Sequence, residues 1–566
     1  MSRRLTLTLL AGLGLGFLLL APACSAPPAM GQGASTPPAA TLAYSTFLGG
    51  TRDDQAWDVV VDAEGHAYVI GSTSSGNLPT VDAFQAELGN TGLLTDAFVA
   101  KIAPDGRTLV WSTYLGGVRE DEGLAIALGP DGSVTVAGIT NSENFPVVNA
   151  LQPKLNLADS VWSGDLFVSR FAPDGGSLLW STFLGGTGRD RPTDITVDAA
   201  GATYLTGWTG SHFPSEKALY PLNRGVRDAF ITKIAPDGRS LEWSTHLGGS
   251  DRDEGRAIAV DARGAATIVG ATASRNLRLP GEIAPFQRTF GGEADGFVAR
   301  IAPDGQSFEY ASYLGGRSFD AATGVAIGDD GTTYVAGRTD SPNFPRIAPF
   351  QPALRGDSDT FLVRIAADGS DLLSATYFGG NGAEDSCLPV VTSPFPRLDV
   401  LQEHLLTQVA IDRAGRVVLS GCTASANLPM VGALPLHRGG AADGFVAVFD
   451  AQLDDLLFST LVSARALDFA RGLATGPQGG IYLVGRTDSS NFPSVSAAQP
   501  ERAGLEEGFA LKIGPPFAPP PTPSATPAPT REPTAVPPSA TPTVEASPTA
   551  TTAAPKLYLP IARRED

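Results

Sequence analysis

The chain has 566 residues, 59 acidic against 40 basic side chains, a net charge of −19 and 42% apolar residues. That charge repels phosphate backbones, so nucleic acid is excluded as a partner, and three cysteines are too few to build a disulfide scaffold. The apolar content suffices for a large core, and 65 glycines with 45 prolines require many turns.

Residues 1–23 open with Arg3 and Arg4, run apolar through Leu20 and leave through Ala21-Pro22-Ala23. This is the pattern of a secretory signal peptide, too short for a retained membrane span. Cys24 follows directly, so the run resembles a lipoprotein signal whose mature first residue is an acylated cysteine. Ala21 and Pro22 depart from that pattern, and ordinary cleavage after Ala23 is the alternative. The expectation is an exported protein, either lipid-anchored at the cell surface or extracellular, that meets the membrane only through the acyl chains. Residues 24–41 read as a linker.

Residues 42–514 write one paragraph of roughly 65 residues seven times. The marker reads YSTFLGG from Tyr44, WSTYLGG from Trp111, WSTFLGG from Trp180, WSTHLGG from Trp243, YASYLGG from Tyr310, SATYFGG from Ser374 and a degenerate FSTLVSA from Phe458. Start-to-start spacings are 67, 69, 63, 67, 64 and 84. Each period predicts four strands. The first is short, as at Val59-Val60-Val61 or Ile126-Ala127-Leu128; the second ends in G-x-T, as at Gly71-Ser72-Thr73; the third opens with an acid and an aromatic, as in DAFVAKI from Asp96. An A-P-D-G turn such as Ala103 to Gly106 then returns the chain to the fourth, the W-S-T segment.

Seven four-stranded antiparallel units predict an all-β, seven-bladed propeller. Residues 44–48 form a fourth strand without the three that precede it, and the last unit ends at Ile513 without its fourth. The N-terminal strand is therefore expected to complete blade seven and close the ring. The G-x-T-x-S-x-N-[FL]-P run, the D-x-F-[VI]-x-[KR] strand and the S-T-[FY]-L-G-G strand resemble the bacterial SBBP beta-propeller repeat. The resemblance implies a secreted or surface-associated propeller and no settled activity. Local departures are Ser211-His212-Phe213-Pro214 in blade three, Asn276-Leu277-Arg278-Leu279-Pro280 in blade four, and Ser463-Ala464 in place of Gly-Gly.

The spacing of 84 locates an insertion from Asp385 in blade six that carries Cys387. Alternating turns bring Cys387 and Cys422 toward one face of that blade, so a disulfide between them is one reading and two buried thiols the other. Beyond Ile513 the composition changes: residues 515–555 are rich in Pro, Thr, Ser and Ala, a low-complexity tract expected to be disordered and to act as a stalk. Residues 556–566, KLYLPIARRED, are a short terminal segment with too little apolar length to span a bilayer.

Three features bear on function. The loops between the motif proline and the acid of strand three are longest in blades one and two, at 17 and 19 residues against 14 or 15 elsewhere, and the second includes Trp162. The face bearing these loops is the expected recognition surface, with a glycan or a surface protein as partner. An acid also recurs four positions past each Gly-Gly or its equivalent: Asp54, Asp121, Asp190, Asp253, Asp320, Glu384 and Asp468. These carboxylates either ring one mouth of the channel and capture Ca²⁺, or accept hydrogen bonds from neighbouring turns with no cofactor needed. Catalytic patterns are missing: the five histidines occupy unmatched repeat positions, and A-P-D-G-R-T-L-V-W lacks the spacing of a sialidase-type Asp-box. The functional expectation is an extracellular or cell-surface binding scaffold, with a carbohydrate-active propeller hydrolase or lyase as the alternative.

Overall fold

The computed structural model describes residues 40–515 apart from 91–93, 157–163, 211, 280–283, 386–406 and 437. The signal segment, Cys24, Trp162, Cys387, the proline-rich tract and the terminal segment lie outside the described residues. Among the described residues there are 28 strands and no helix, arranged as seven four-stranded antiparallel sheets. Blade one takes β2 (Asp54–Val61), β3 (Ala67–Thr73), β4 (Asp96–Ile102) and β5 (Leu109–Leu115) in chain order, and the next five blades repeat that order. The seventh sheet reads β1-β28-β27-β26, where β1 is Thr41–Leu48, β26 Asp468–Thr475, β27 Ile481–Thr487 and β28 Glu507–Gly514. The N-terminal strand thus closes the ring, as expected, pairing from Tyr44↔Lys512 to Leu48↔Gly508.

The first strand of each blade is longer than its apolar run. β2 starts at Asp54 rather than at Val59 because a bulge between Ala56 and Asp58 lets pairing resume toward Asp54↔Thr73. In blade six the insertion leaves only Gln408–Ile411 as regular strand, yet Glu384 still bridges to Thr423, so the acid keeps its place.

The chain between strands two and three folds back along strand four. Val81 pairs with Ser112, Val148 with Ser181, Glu216 with Ser244, Ile347 with Ala375, Val431 with Ser459 and Val495 with Ser45. These bridges cover the outermost edge of six blades, which would otherwise offer unpaired amides to another chain. Much of each connection is therefore edge cover.

The aromatic positions of the repeat meet one another in the core. The motif phenylalanine stacks on the phenylalanine of strand three, with ring centroids 4.5 Å apart for Phe145–Phe167, 4.2 Å for Phe213–Phe230, 4.4 Å for Phe344–Phe361 and 4.6 Å for Phe492–Phe509. The glycine of G-x-T makes room for that ring: a Cβ at Gly138 would lie 2.7 Å from Phe167.

Candidate functional site

Each recurring acid is the first residue of its blade's first strand, or in blade six holds the matching place ahead of it, and is fully buried. In blade one, Asp54 Oδ2 accepts the Gly50 amide at 2.7 Å and the Ser75 hydroxyl at 2.9 Å, while Oδ1 accepts the Thr73 hydroxyl. Asp253 repeats the set with Gly249, Ser274 and Thr272, and Asp468 with Ala464, Ser489 and Thr487. Asp121 and Asp320 hold the same amide and serine, Gly117 with Ser142 and Gly316 with Ser341. Asp190 takes the Gly186 amide at 2.7 Å, and Glu384 the Thr423 hydroxyl at 2.8 Å. The T-x-S-x-N run is therefore a carboxylate cradle, and its asparagine completes the turn: Asn77 Oδ1 accepts the Thr51 amide at 3.0 Å and Asn144 Oδ1 the Val118 amide at 3.0 Å.

A second buried carboxylate faces each of these across the seam between blades, namely the acid that opens strand three of the preceding blade. The seven pairs are Glu507 with Asp54, Asp96 with Asp121, Asp165 with Asp190, Asp228 with Asp253, Asp295 with Asp320, Asp359 with Glu384 and Asp443 with Asp468. The first glycine of Gly-Gly is wedged between the partners. A Cβ at Gly185 would lie 2.6 Å from Asp165 Oδ1 and 3.0 Å from Asp190 Oδ2, and at Gly315 it would lie 2.8 Å from Asp295 Oδ1 and 3.0 Å from Asp320 Oδ2. Where blade seven substitutes Ser463, its hydroxyl hydrogen-bonds Asp443. The strand-three acids are held in turn by backbone amides: Gly89 on Asp96, Asn156 on Asp165 and Gly291 on Asp295.

Burial pushes these groups up, reinforced by the facing charge at Asp54, Asp121, Asp165 and Asp295 and by Asp340 at Asp320. Asp121, Asp165 and Asp295 reach about 7, and Asp54, Asp190 and Asp320 about 6. In the Asp359–Glu384 pair both are raised, chiefly by burial. At six of the seven positions considered as Ca²⁺ ligands, Oδ2 accepts a backbone amide.

At five of the seven seams the other end is closed by an aromatic, and Ser374 takes that place in blade five. The glycine of A-P-D-G has positive φ, 72° at Gly175 and Gly238, and packs against the aromatic in the first half of strand four of the preceding blade: Gly106 on Tyr44, Gly175 on Trp111, Gly238 on Trp180 and Gly305 on Trp243. Trp180 and Trp243 also donate their indole N–H to the carbonyls of Pro236 and Pro303, each at 3.1 Å.

Cys422 is buried and disulfide-bonded. The Asp385 amide donates to the Cys422 carbonyl at 3.0 Å, which brings the start of the insertion against the strand that carries Cys422.

Two features break the sevenfold symmetry. Asp58 and Asp194, immediately after the strand-one bulges of blades one and three, each cap the next blade: Asp58 accepts the Ile126 amide at 3.1 Å and Asp194 the Ile258 amide at 2.8 Å. Burial and then the charge of Asp58 push Asp194 up to about 8, and burial pushes Asp58 to about 6. Blade three also replaces the polar residues at its Gly-Gly end by arginines and a tryptophan: Arg189, Arg191, Trp208 and Arg227 stand where blade one has Asp53, Gln55, Ser72 and Thr95. Sequence reading missed this cluster because its members are scattered over 39 positions; aligning the repeats column by column exposes it.

Fold and seams define a seven-bladed β-propeller built from one repeated sequence unit. The SBBP beta-propeller repeat model matches residues 179–214, from strand four of blade two to the motif proline of blade three, so the chain carries that repeat. Regulatory protein FlaEY of Caulobacter vibrioides is 26% identical over 338 residues, 57% of this chain, and the chain spans only 34% of that relative's length. Among solved structures, U3-55K is similar with a TM-score of 0.41 and 10% identity over 83% of this chain and 98% of that one. BamB from Moraxella catarrhalis is similar with a TM-score of 0.35 and 9% identity over 84% and 99%.

Proposed function

We propose that the protein is an exported, ligand-binding propeller scaffold at the cell surface or outside the cell, tethered through an acylated Cys24 and carried on its proline-rich stalk. The observation that supports this reading most is the division of labour in the repeat. The recurring acids, glycines and aromatics are taken up in holding blades together, and the connections whose length varies between blades, together with the arginine and tryptophan cluster of blade three, lie on the face that bears the Gly-Gly connections. A rigid ring with one variable face is the arrangement of a recognition module.

The second reading, a propeller enzyme acting on carbohydrate, draws on Asp58 and Asp194, two neighbouring carboxyls of unequal acidity. Probing a glycan array with the purified ring, then incubating any hit and analysing for shortened products, separates the two. A scaffold leaves the bound glycan intact. Shortened products that disappear in Asp58→Asn or Asp194→Asn while binding persists would establish the enzyme.

The partner of Cys422 is proposed to be Cys387. Peptide mapping without reductant is expected to recover the two in one linked peptide, and a free thiol at Cys387 in exported material would refute the pairing. Reduction should loosen the insertion and leave the ring standing, because the seams are held by carboxylates, glycines and aromatics.

A further inference from the structure

Blades three and four gather arginines on the Gly-Gly face of a chain that is acidic as a whole, with exposed Asp251 beside them. The Arg227 guanidinium lies 4.4 Å from the centre of the Trp208 ring and that of Arg189 5.9 Å, while the indole itself is only 4% exposed. Trp208 is thus a buried post that fixes the directions of two cations. Arg191 and Arg227 are further held by Glu122 at 3.8 Å and Glu254 at 2.9 Å.

Next to them stands a set of cations with no such close ion pairing. Arg224 and Arg275 are exposed, and Arg278 lies 4.1 Å over the Tyr220 ring. Arg224 and Arg278 both flank the buried carboxylate of Asp228, which places them on one patch. The connection that carries Arg224 reads Leu222-Asn223-Arg224-Gly225-Val226-Arg227, apolar and basic by turns, with Leu222 64% and Val226 59% exposed. It is rigidly mounted: the Arg224 and Gly225 amides donate to Asp228 at 2.9 and 3.1 Å, and Asn223 Nδ2 donates to the Thr209 carbonyl at 2.9 Å. Preset loops of this kind lose little entropy on binding.

We propose that this surface binds an acidic polypeptide segment, carboxylates against Arg224, Arg275 and Arg278 and apolar side chains against Leu222 and Val226. The inference rests on the binding-scaffold reading and gives it a partner class. Arginine forks suit carboxylates. A saccharide polyanion supplies those carboxylates but no aliphatic side chains to cover Leu222 and Val226, so the interleaving of apolar and basic positions selects a polypeptide.

The test titrates the full exported chain with three fluorescent probes: a peptide of alternating glutamate and leucine, an all-glutamate peptide, and polygalacturonate. The expected result is saturable binding of the mixed peptide, tighter than that of the all-glutamate peptide and weakened by salt. It falls by about tenfold or more in Arg224→Glu/Arg275→Glu and in Leu222→Ser/Val226→Ser, and is unchanged in Arg107→Glu on the opposite face. Because all these side chains are exposed, the variants should melt like the parent. Polygalacturonate or the all-glutamate peptide bound as tightly as the mixed peptide would overturn the assignment. So would equal binding by parent and Arg224→Glu/Arg275→Glu, or no saturable binding of the mixed peptide. In each of these cases a hit on the glycan array would leave the binding reading itself intact.

Discussion

Deletion of residues 42–50 is expected to leave a chain that aggregates, or melts more than about 10 °C below the parent. The deletion removes the fourth strand of blade seven and exposes the full length of β28 as an open edge. It also strips both ends of the seam with blade one: Tyr44, which packs on Gly106, and Gly50, whose amide holds Asp54. Loss of Phe47 removes one of the two ring contacts of Phe492, the one at 6.3 Å, and leaves only Phe509 against it. Ring closure is thus a contact between chain ends that supports two blades at once. Thermal melting with light scattering decides the matter, and a truncated protein that unfolds with the parent would refute the role given to β1.

Gly185→Ala is expected to destabilise the ring by about 3 kcal/mol, the upper end of what overpacking costs, because its methyl would be driven between two buried carboxylates. The contrast is Gly76→Ala, where nothing lies within 4 Å of the added methyl, and a change within about 0.5 kcal/mol is expected. Denaturant midpoints of the two variants measure the difference. Equal midpoints would mean that the first glycine of Gly-Gly is not a seam residue.

The blade order, the turns and the ring closure were legible in the sequence because each rests on local signals: two-residue alternation, A-P-D-G corners, and a count of strands that closes only if Tyr44 to Leu48 belongs to the last unit. Strand one was read too short because its first half, Asp54 to Trp57, is polar or irregular and its pairing depends on a bulge that apolar periodicity does not reveal. The seven acids could be located but not assigned. Their partners in the seams, such as Asp96 for Asp121 and Asp165 for Asp190, lie 25 residues away in the preceding blade, and only the ring brings them together. The role of T-x-S-x-N was hidden for the same reason, since the carboxylate it cradles precedes it by 19 to 21 residues in most blades.

The claim that the recurring carboxylates are structural parts of the seams is tested most directly by the melting temperature as a function of pH, in EDTA and in millimolar Ca²⁺. The strand-one and strand-three acids have folded values raised to about 6 or 7 at Asp54, Asp96, Asp121, Asp165, Asp190, Asp253, Asp295 and Asp320. A raised acid binds more protons in the folded chain than in the unfolded one. Its contribution is therefore fully present below the unfolded value of about 4 and is lost as pH rises through the folded values of about 6 to 7. Asp62 and Asp261, held below the ordinary carboxylate range by hydrogen bonds and cations that outweigh their burial, act with the opposite sign and lose their contribution only as pH falls below about 4. The predicted curve has its maximum near about pH 4 to 5, falls by roughly 5 °C or more toward pH 8, and is the same with and without Ca²⁺. A melting temperature that climbs from pH 5 to pH 8, or one that Ca²⁺ raises, would contradict the account.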